Sequence, residues 1–151
     1  VDSVCIKDMA GILMPETGYE LIKMIKNVTK LPVELHTHCT GGIASILYTR
    51  AIEAGVDIID TAISPFSGGT SQPATEVFAQ LLKGTKRDPE LNLELLGEIA
   101  DYFKPIKEKY RTEGIFKSKS NGYRAKNISL SSAWWNVIKL DVSIRATKSF
   151  K

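Results

Sequence analysis

Short apolar segments alternate with amphipathic segments over the first 82 residues, and this alternation restricts the fold more than any other feature of the sequence. The apolar segments are predicted strands, which lie at 3–6, 31–38 and 56–62. The amphipathic segments are predicted helices, which lie at 15–28, 43–54 and 73–82. Strands that alternate with helices of about 10–15 residues are typical of βαβ units, in which neighbouring strands are parallel. The sequence therefore predicts an α/β fold with a parallel sheet.

Pro15 and Gly55 support the predicted boundaries of the first two helices. A fourth helix is predicted further along the chain. Pro15 is favourable in a first helical turn, and Gly55 is favourable directly after a helix. A longer amphipathic helix is predicted at 92–110, where Pro105 can kink or divide it. Its apolar face is formed by Leu95, Leu96, Ile99, Tyr102 and Phe103. Three βα units cannot close a barrel, so the sheet is either small and open or part of something larger.

Two histidines separated by one residue form the feature with the clearest chemical meaning. His36 and His38 lie near the end of the second predicted strand, and they are the only histidines in the chain. Side chains alternate between the faces of a strand, so both imidazoles are expected on one face and Thr37 on the other. Active sites of barrel and doubly wound folds lie at the carboxyl ends of the strands. The pair is therefore a candidate half of a metal site, and two incidental polar residues are the alternative.

Other residues at the ends of the predicted strands are weaker candidates. Lys7 ends the first strand, level with the histidines, but a surface lysine or an ion pair with Asp8 is the ordinary interpretation. Asp60 ends the third strand and can orient a group in the site, although a strand-end cap is the safer prediction. Glycine-containing loops at 41–42 and 67–72 permit close approach of the backbone to a ligand, and ordinary loop glycines are the alternative.

The charges are distributed unevenly along the chain. Residues 117–151 contain eight Lys or Arg and one acid, whereas residues 1–116 contain twelve Lys or Arg and sixteen Asp or Glu. A basic tail is typical of a solvated or nucleic-acid-binding arm. No apolar run approaches the roughly 20 residues of a membrane span, and we recognise no signal peptide. Two cysteines make no disulfide framework, so a reducing, cytoplasmic setting is expected.

Four segments together resemble the carboxyltransferase domain of biotin-dependent enzymes. They are Val4-Cys5-Ile6-Lys7-Asp8-Met9-Ala10-Gly11, Leu35-His36-Thr37-His38-Cys39-Thr40, 54–64 and Thr70-Ser71-Gln72-Pro73. The resemblance is strongest to the alpha subunit of oxaloacetate decarboxylase and to the second subunit of two-part pyruvate carboxylases, and it extends to about residue 119. It implies the C-terminal portion of a (β/α)₈ TIM barrel followed by helices, an incomplete α/β fold.

The resemblance also implies a metal at the C-terminal mouth of the barrel. In this family the metal is held by an aspartate, a carbamylated lysine and two histidines. The matching positions are Lys7, which is also the candidate catalytic residue, and the pair His36 and His38. The aspartate belongs to a strand that is expected to precede this sequence. The metal is usually zinc, with cobalt or manganese in some members.

The reaction that the resemblance implies moves a carboxyl group between oxaloacetate or pyruvate and biotin. The implied partners are a biotin carrier domain and other decarboxylase or carboxylase subunits, and the parent enzyme is expected to be a homo-oligomer. Neither nucleic acid nor a membrane span is expected. The family also places a proton-carrying hydroxyl after a Pro-Gly-Gly segment beyond the barrel, and no such segment is readable here.

The last part of the chain departs from the family in a particular way. Tryptophan has a single codon, TGG, so Trp134 and Trp135 read as Gly-Gly when the frame moves by one base. We therefore hypothesise a slip of the reading frame near Lys119 or Ser120, and we expect residues 118–151 to be aberrant and disordered.

The hypothesis divides the chain into three parts, namely a partial barrel at 1–85, a helical extension at 86–117 and the aberrant tail at 118–151. Such a fragment lacks the aspartate and the proton-carrying hydroxyl. We therefore expect it to be inactive by itself.

Two other functions fit parts of the sequence. Barrel enzymes that cleave or condense acyl chains also use a His-x-His metal pair, but their motif does not supply a ligating lysine at the position of Lys7. A non-enzymatic basic module, whose tail binds nucleic acid or an acidic surface, is the other alternative. The absence of periodicity in the tail argues against it.

Overall fold

The computed structural model describes residues 1–113, which contain three strands and four α-helices. In chain order these are β1 (Val4–Asp8), α1 (Pro15–Val28), β2 (Val33–Thr37), α2 (Ala44–Ala54), β3 (Ile58–Ile59), α3 (Thr75–Leu82) and α4 (Leu93–Thr112). Short 3₁₀ turns occupy Cys39–Gly41 and Ser64–Phe66. The predicted alternation of strands and helices is confirmed. The expected disorder of residues 118–151 and the proposed frame slip lie outside the described residues.

The three strands form one parallel sheet in the order β1-β2-β3. In the register of β1 and β2, Lys7 lies opposite His36. β3 is shorter than the predicted strand at 56–62, because only Ile58 and Ile59 pair with β2. The chain then leaves β2, and Ala62 forms a parallel bridge with Ala74 instead.

The core lies between the sheet and the helices α1 and α2. Its most buried side chains are Ile22, Val33, Leu35, Leu47 and Tyr48, none of which is accessible to solvent. Gly18 lets the two helices approach closely, because a Cβ atom there would lie 2.3 Å from Leu47 Cδ1. Val28 at the end of α1 is 84 % exposed, so the packed face of this helix ends about one turn earlier, at the half-buried Ile25.

Caps and one ion pair hold the ends of these elements. Pro15 lies in the first turn of α1, and Gly55 follows α2 in the left-handed conformation, with φ of 100°. The Asp57 carboxylate accepts hydrogen bonds from Lys26 Nζ and from Val33 N, both at 2.7 Å. Burial raises the pKa of this carboxyl, but the two hydrogen bonds and the charges of Lys26 and Arg87 together outweigh burial, so the pKa lies below its usual value.

Helix α4 is continuous through Pro105, which neither divides nor ends it. The Asn92 side chain caps the helix by accepting hydrogen bonds from the backbone N–H groups of the next turn. The predicted apolar face is largely exposed within residues 1–113, since Leu95 and Tyr102 are 51 % and 68 % accessible. The prediction is confirmed only in part, because Leu96 and Phe103 are half-buried and flank the buried Ala100, and α4 packs there against Phe66 and α3.

No helix within residues 1–113 is both long enough and apolar enough to cross a membrane. The division of the chain at residues 85 and 117 stays a prediction.

Candidate metal site at the carboxyl ends of the strands

The two imidazoles lie side by side at the carboxyl end of β2. Alternation along this strand buries Val33, Leu35 and Thr37 and turns His36 to the other face. His38 follows directly after the strand and lies on the same side as His36. The two Nε2 atoms are 3.0 Å apart. The predicted placement of both rings on one face, opposite Thr37, therefore agrees with the structure.

The other nitrogen of each ring has a fixed partner. His36 Nδ1 lies 2.6 Å from Asp60 Oδ2, and His38 Nδ1 lies 2.6 Å from the backbone oxygen of Thr70. A carboxylate and a carbonyl can only accept hydrogen bonds, so Nδ1 donates in both rings. In a neutral imidazole the other nitrogen then carries a lone pair. Both Nε2 lone pairs consequently face the same small region.

Two lone pairs that face one region favour a positive group between them. Two imidazole nitrogens at the usual 2.0–2.1 Å from one zinc ion would be about 2.8–3.4 Å apart, for angles between right-angled and tetrahedral. The observed separation of 3.0 Å fits this range. In metal-binding histidines, the ring nitrogen that does not contact the metal almost always donates a hydrogen bond to a carboxylate, a carbonyl or water, as Nδ1 does in both rings here. Within residues 1–113, no group of three or more His, Cys, Asp or Glu side chains could hold a metal ion. A further ligand would therefore be of another kind or lie elsewhere.

Lys7 is placed beside the histidines by the sheet. It is half-buried, and its register position opposite His36 puts both side chains on one face of the parallel pair. Within the described part of the chain, Lys7 has no ion-pair partner. The alternative of a pair with Asp8 was wrong, because adjacent residues of a strand point to opposite faces.

Asp8 stabilises the loop that follows β1. Its carboxylate accepts hydrogen bonds from Ile12 N at 3.2 Å, from Leu13 N at 2.9 Å and from Thr37 Oγ1 at 2.8 Å. Its backbone oxygen accepts from Gly11 N and His38 N. Asp8, on the buried face of the sheet, therefore holds Thr37 and the backbone of His38, and so helps to fix the segment that carries the histidines.

Asp60 orients His36 and is more than a strand-end cap. Its carboxylate holds the imidazole, and its backbone oxygen accepts a hydrogen bond from Tyr48 Oη at 2.6 Å. The same hydroxyl accepts from Thr37 N at 3.2 Å. Burial raises the pKa of Tyr48, so the phenol stays protonated and keeps donating. The safer prediction for Asp60 was therefore wrong, because it considered only the strand on which Asp60 lies.

Gln72 was not singled out by the sequence analysis, although it lies in a motif that carries the resemblance. Its Nε2 atom is 3.3 Å from His36 Nε2 and 3.2 Å from His38 Nε2. Ser71 Oγ donates to Gln72 Oε1 at 3.1 Å. The loop at 67–72 thus supplies two groups to the site, the Thr70 carbonyl and the Gln72 amide, and its residues do more than connect elements.

Two glycines permit the loops after β1 and β2 to touch. Gly11 has φ of 66°, and a Cβ atom there would lie 2.2 Å from His38 O. A Cβ atom at Gly41 would lie 2.0 Å from Gly11 O. Real Cβ atoms do not approach a backbone oxygen so closely, so both positions require glycine.

Gly41→Ala is expected to lower the free energy of unfolding by about 2 kcal/mol or more, because backbone must move to relieve the overlap. Gly97→Ala is the matched control, since no atom lies within 4 Å of the added methyl group in α4. That substitution is expected to stabilise the chain by roughly 0.5–1 kcal/mol through helix propensity. Urea unfolding followed by circular dichroism measures both, and equal changes would contradict the loop contact.

Comparison with known proteins identifies the class to which this fold and site belong. A family model described as HMGL-like matches residues 1–102. The chain therefore belongs to the HMGL-like family. Within that family it is a segment of a carboxyltransferase domain, as its relatives and structural neighbours indicate.

The relatives are biotin-dependent carboxylases and carboxyltransferases. A pyruvate carboxylase subunit from Methanocaldococcus jannaschii is 56 % identical over 110 residues, which are 73 % of this chain and 19 % of that protein. The 5S subunit of methylmalonyl-CoA carboxyltransferase from Propionibacterium freudenreichii is 39 % identical over 137 residues, 84 % of this chain and 27 % of that one. The chain thus spans about a fifth to a quarter of the length of these relatives.

A solved structure agrees with the sequence comparison. The carboxyltransferase domain of Rhizobium etli pyruvate carboxylase, solved with pyruvate and biocytin, superimposes with a TM-score of 0.70 at 38 % identity. The match covers 73 % of this chain and 18 % of that one. The neighbours are TIM-barrel domains, so the α/β fold with three parallel strands matches part of a barrel, as predicted.

Proposed function

We propose that this chain is the metal-binding segment of a biotin-dependent carboxyltransferase that moves a carboxyl group between oxaloacetate or pyruvate and biotin. The observation that carries the proposal is the arrangement of the two histidines. Both Nδ1 atoms are held by oxygen acceptors, and both Nε2 atoms face one region, 3.0 Å apart. The relatives named as pyruvate carboxylase subunits supply the reaction class.

The proposed metal ligands of this chain are His36, His38 and Lys7. An ammonium group has no lone pair, so Lys7 can contribute only after carbamylation, which converts it into an anionic oxygen donor. Zinc is the first choice for two imidazoles and one oxygen, and cobalt or manganese are the alternatives. When bound, such a metal supplies Lewis-acid stabilisation of negative charge on a 2-oxo acid.

The remaining residues of the site position these ligands. Asp60 and the Thr70 carbonyl fix the tautomer and the orientation of the rings. Tyr48 joins the backbone of β2 to that of Asp60. Tyr48 and Thr37 are inaccessible to solvent, so this connection lies in the core beneath the histidines.

The proposed partners follow from the same assignment. They are a biotin carrier domain, the 2-oxo acid, and other carboxylase or decarboxylase subunits of a homo-oligomeric parent enzyme. Both cysteines of the described residues, Cys5 and Cys39, are free thiols, which supports a reducing, cytoplasmic location.

A chimeric enzyme tests the proposed function. Residues 1–113 replace the matching segment of the Methanocaldococcus jannaschii protein, and pyruvate carboxylation is measured with the remaining subunits present. The chimera is expected to retain carboxylation. Lys7→Gln in the chimera is expected to reduce kcat by roughly 100-fold or more, since it removes a proposed ligand.

Lys30→Gln is the control for loss of a lysine charge, because Lys30 is exposed and lies on the loop between α1 and β2. It should leave carboxylation unchanged. A chimera with the activity of the parent that is insensitive to Lys7→Gln would refute the proposed role of this segment.

A further inference from the structure

Helix α4 carries a second line of apolar side chains besides the one that packs on the rest of the chain. Leu95, Ile99 and Tyr102 are exposed within residues 1–113, and the half-buried Ile106 continues their line. With about 100° per residue, these four side chains lie within roughly 60° of one another around the helix. The packed side, which includes the buried Ala100, is turned by roughly 100° from this line. We call the four residues the outer stripe.

The spacing of the outer stripe is that of a seam between two helices. Its members follow one another at intervals of four, three and four residues. Alternating intervals of three and four residues are the pattern of the apolar positions in paired helices. Because α4 has 20 residues, it is about 30 Å long, and the stripe offers room for another helix along it. A helix is therefore the form of partner that the outer stripe fits.

The charges of α4 are divided between its two ends. Two ion pairs form within the helix, Asp101 with Lys104 and Glu108 with Arg111. Four other charged side chains of the helix have no ion-pair partner in the described part of the chain, namely Glu94, Glu98, Lys107 and Lys109. Both acids of this group lie in the first half of α4 and both lysines lie in the second half. The helix therefore presents unpaired negative charge near its start and unpaired positive charge near its end.

We propose that the outer stripe is an interface between two copies of this chain, in which the two α4 helices lie antiparallel. In this arrangement the acidic start of each helix faces the basic end of the other, so unlike charges meet twice by symmetry. A parallel arrangement would bring like charges together. The charge distribution also favours an isolated helix through its dipole, but together with the stripe it makes α4 complementary to a second α4. The interface uses none of the residues assigned to the metal site, so it does not depend on the proposed function.

Sedimentation equilibrium of the full 151-residue chain tests the interface. The unsubstituted chain is expected to dimerise with a Kd on the order of 10–100 µM, because a single pair of helices makes a small interface. Leu95→Gln is expected to raise this Kd by about 30-fold or more, since each dimer loses two buried leucine side chains. Ile46→Gln is the matched control, because Ile46 is a similarly exposed apolar residue on α2, and it should leave the Kd unchanged. Circular dichroism establishes that both variants are folded.

The dependence of the Kd on salt and charge tests the antiparallel arrangement. Salt screens exposed charges, so the Kd is expected to rise by about tenfold between roughly 0.05 M and 0.5 M NaCl. The net charge of +3 on each copy would have the opposite effect, because salt weakens repulsion between the copies. Glu98→Lys is expected to raise the Kd as well. Glu20→Lys changes the net charge equally but lies on the exposed side of α1, so it should have much the smaller effect.

Three results would overturn the interface. A chain that stays monomeric at millimolar concentration has no such dimer, and a loss of stability in monomeric Leu95→Gln would then show that the same chain covers the stripe. A dimer that Leu95→Gln leaves intact must use another surface. A dimer that Leu95→Gln disrupts but that salt strengthens is not held by antiparallel helices. None of the variants changes a residue assigned to the metal site, so each of these results leaves the proposed function standing.

Discussion

His38→Ala is expected to weaken binding of a divalent metal by more than roughly 100-fold. The substitution removes one of the two nitrogen lone pairs that face the site and leaves His36 as the only imidazole ligand. Replacing a group that merely holds a ligand typically costs 10–100-fold in affinity, so loss of a ligand should cost more. Zinc content after purification and titration with Co²⁺ both measure the effect.

Asp60→Asn is expected to weaken metal binding less than His38→Ala, because it changes a group that holds a ligand rather than a ligand. The carboxylate contacts His36 Nδ1 at 2.6 Å but does not face the region between the Nε2 atoms. An amide oxygen can still accept from Nδ1, but without the charge, so affinity should fall by about 10–100-fold. The expected order of affinity is therefore the unsubstituted chain, then Asp60→Asn, then His38→Ala. Equal affinity of all three proteins would show that the histidine pair does not bind metal.

Asp8→Asn is expected to lower the free energy of unfolding by about 2–4 kcal/mol. Asp8 is 9 % exposed, and its carboxylate accepts three hydrogen bonds, two from the backbone after β1 and one from the Thr37 hydroxyl. An asparagine amide replaces one acceptor oxygen by an NH₂ group, which then faces donors and leaves them without a partner. Hydrogen bonds to charged groups contribute about 1.5–3 kcal/mol each, and a buried donor without a partner costs a similar amount. Urea unfolding followed by far-ultraviolet circular dichroism measures the loss.

Asp101→Asn is the matched control for this change. Asp101 is largely exposed on α4, and its carboxylate pairs with Lys104 one turn away. Exposed pairs of this kind contribute little, so the change in unfolding free energy should stay within about 0.5 kcal/mol. A similar small effect at Asp8 would mean that the loop after β1 does not depend on the carboxylate.

Asp8 and Asp60 differ in whether their contacts could be predicted from neighbouring residues of the sequence. Both aspartates lie at the end of a strand, where the sequence indicated Asp8 only as a partner of Lys7, and Asp60 as a strand-end cap or as a group that orients another. Asp8 does serve the loop that follows it, as its contacts with Ile12 and Leu13 show. Asp60 instead contacts His36, which lies 24 residues earlier on the neighbouring strand. No local pattern distinguishes the two cases.

The sequence by itself determined the features that depend on short-range periodicity. Alternation along β2 placed His36 and His38 on one face, and strands that alternate with helices made the sheet parallel. Pro15 and Gly55 marked helix boundaries because their backbone preferences act within a single turn. The motifs at the strand ends also carried the resemblance to carboxyltransferase domains, which the relatives and the solved structures confirm.

Only the tertiary structure decided which distant groups complete the site. Gln72 and the Thr70 carbonyl reach the rings across more than 30 residues of sequence, and β3 is short because Ala62 pairs with Ala74 rather than with β2. Such contacts depend on how the loops after neighbouring strands pack, at distances where a fraction of an ångström separates a hydrogen bond from none. Periodicity describes which way a side chain points, but it carries no information about what lies opposite.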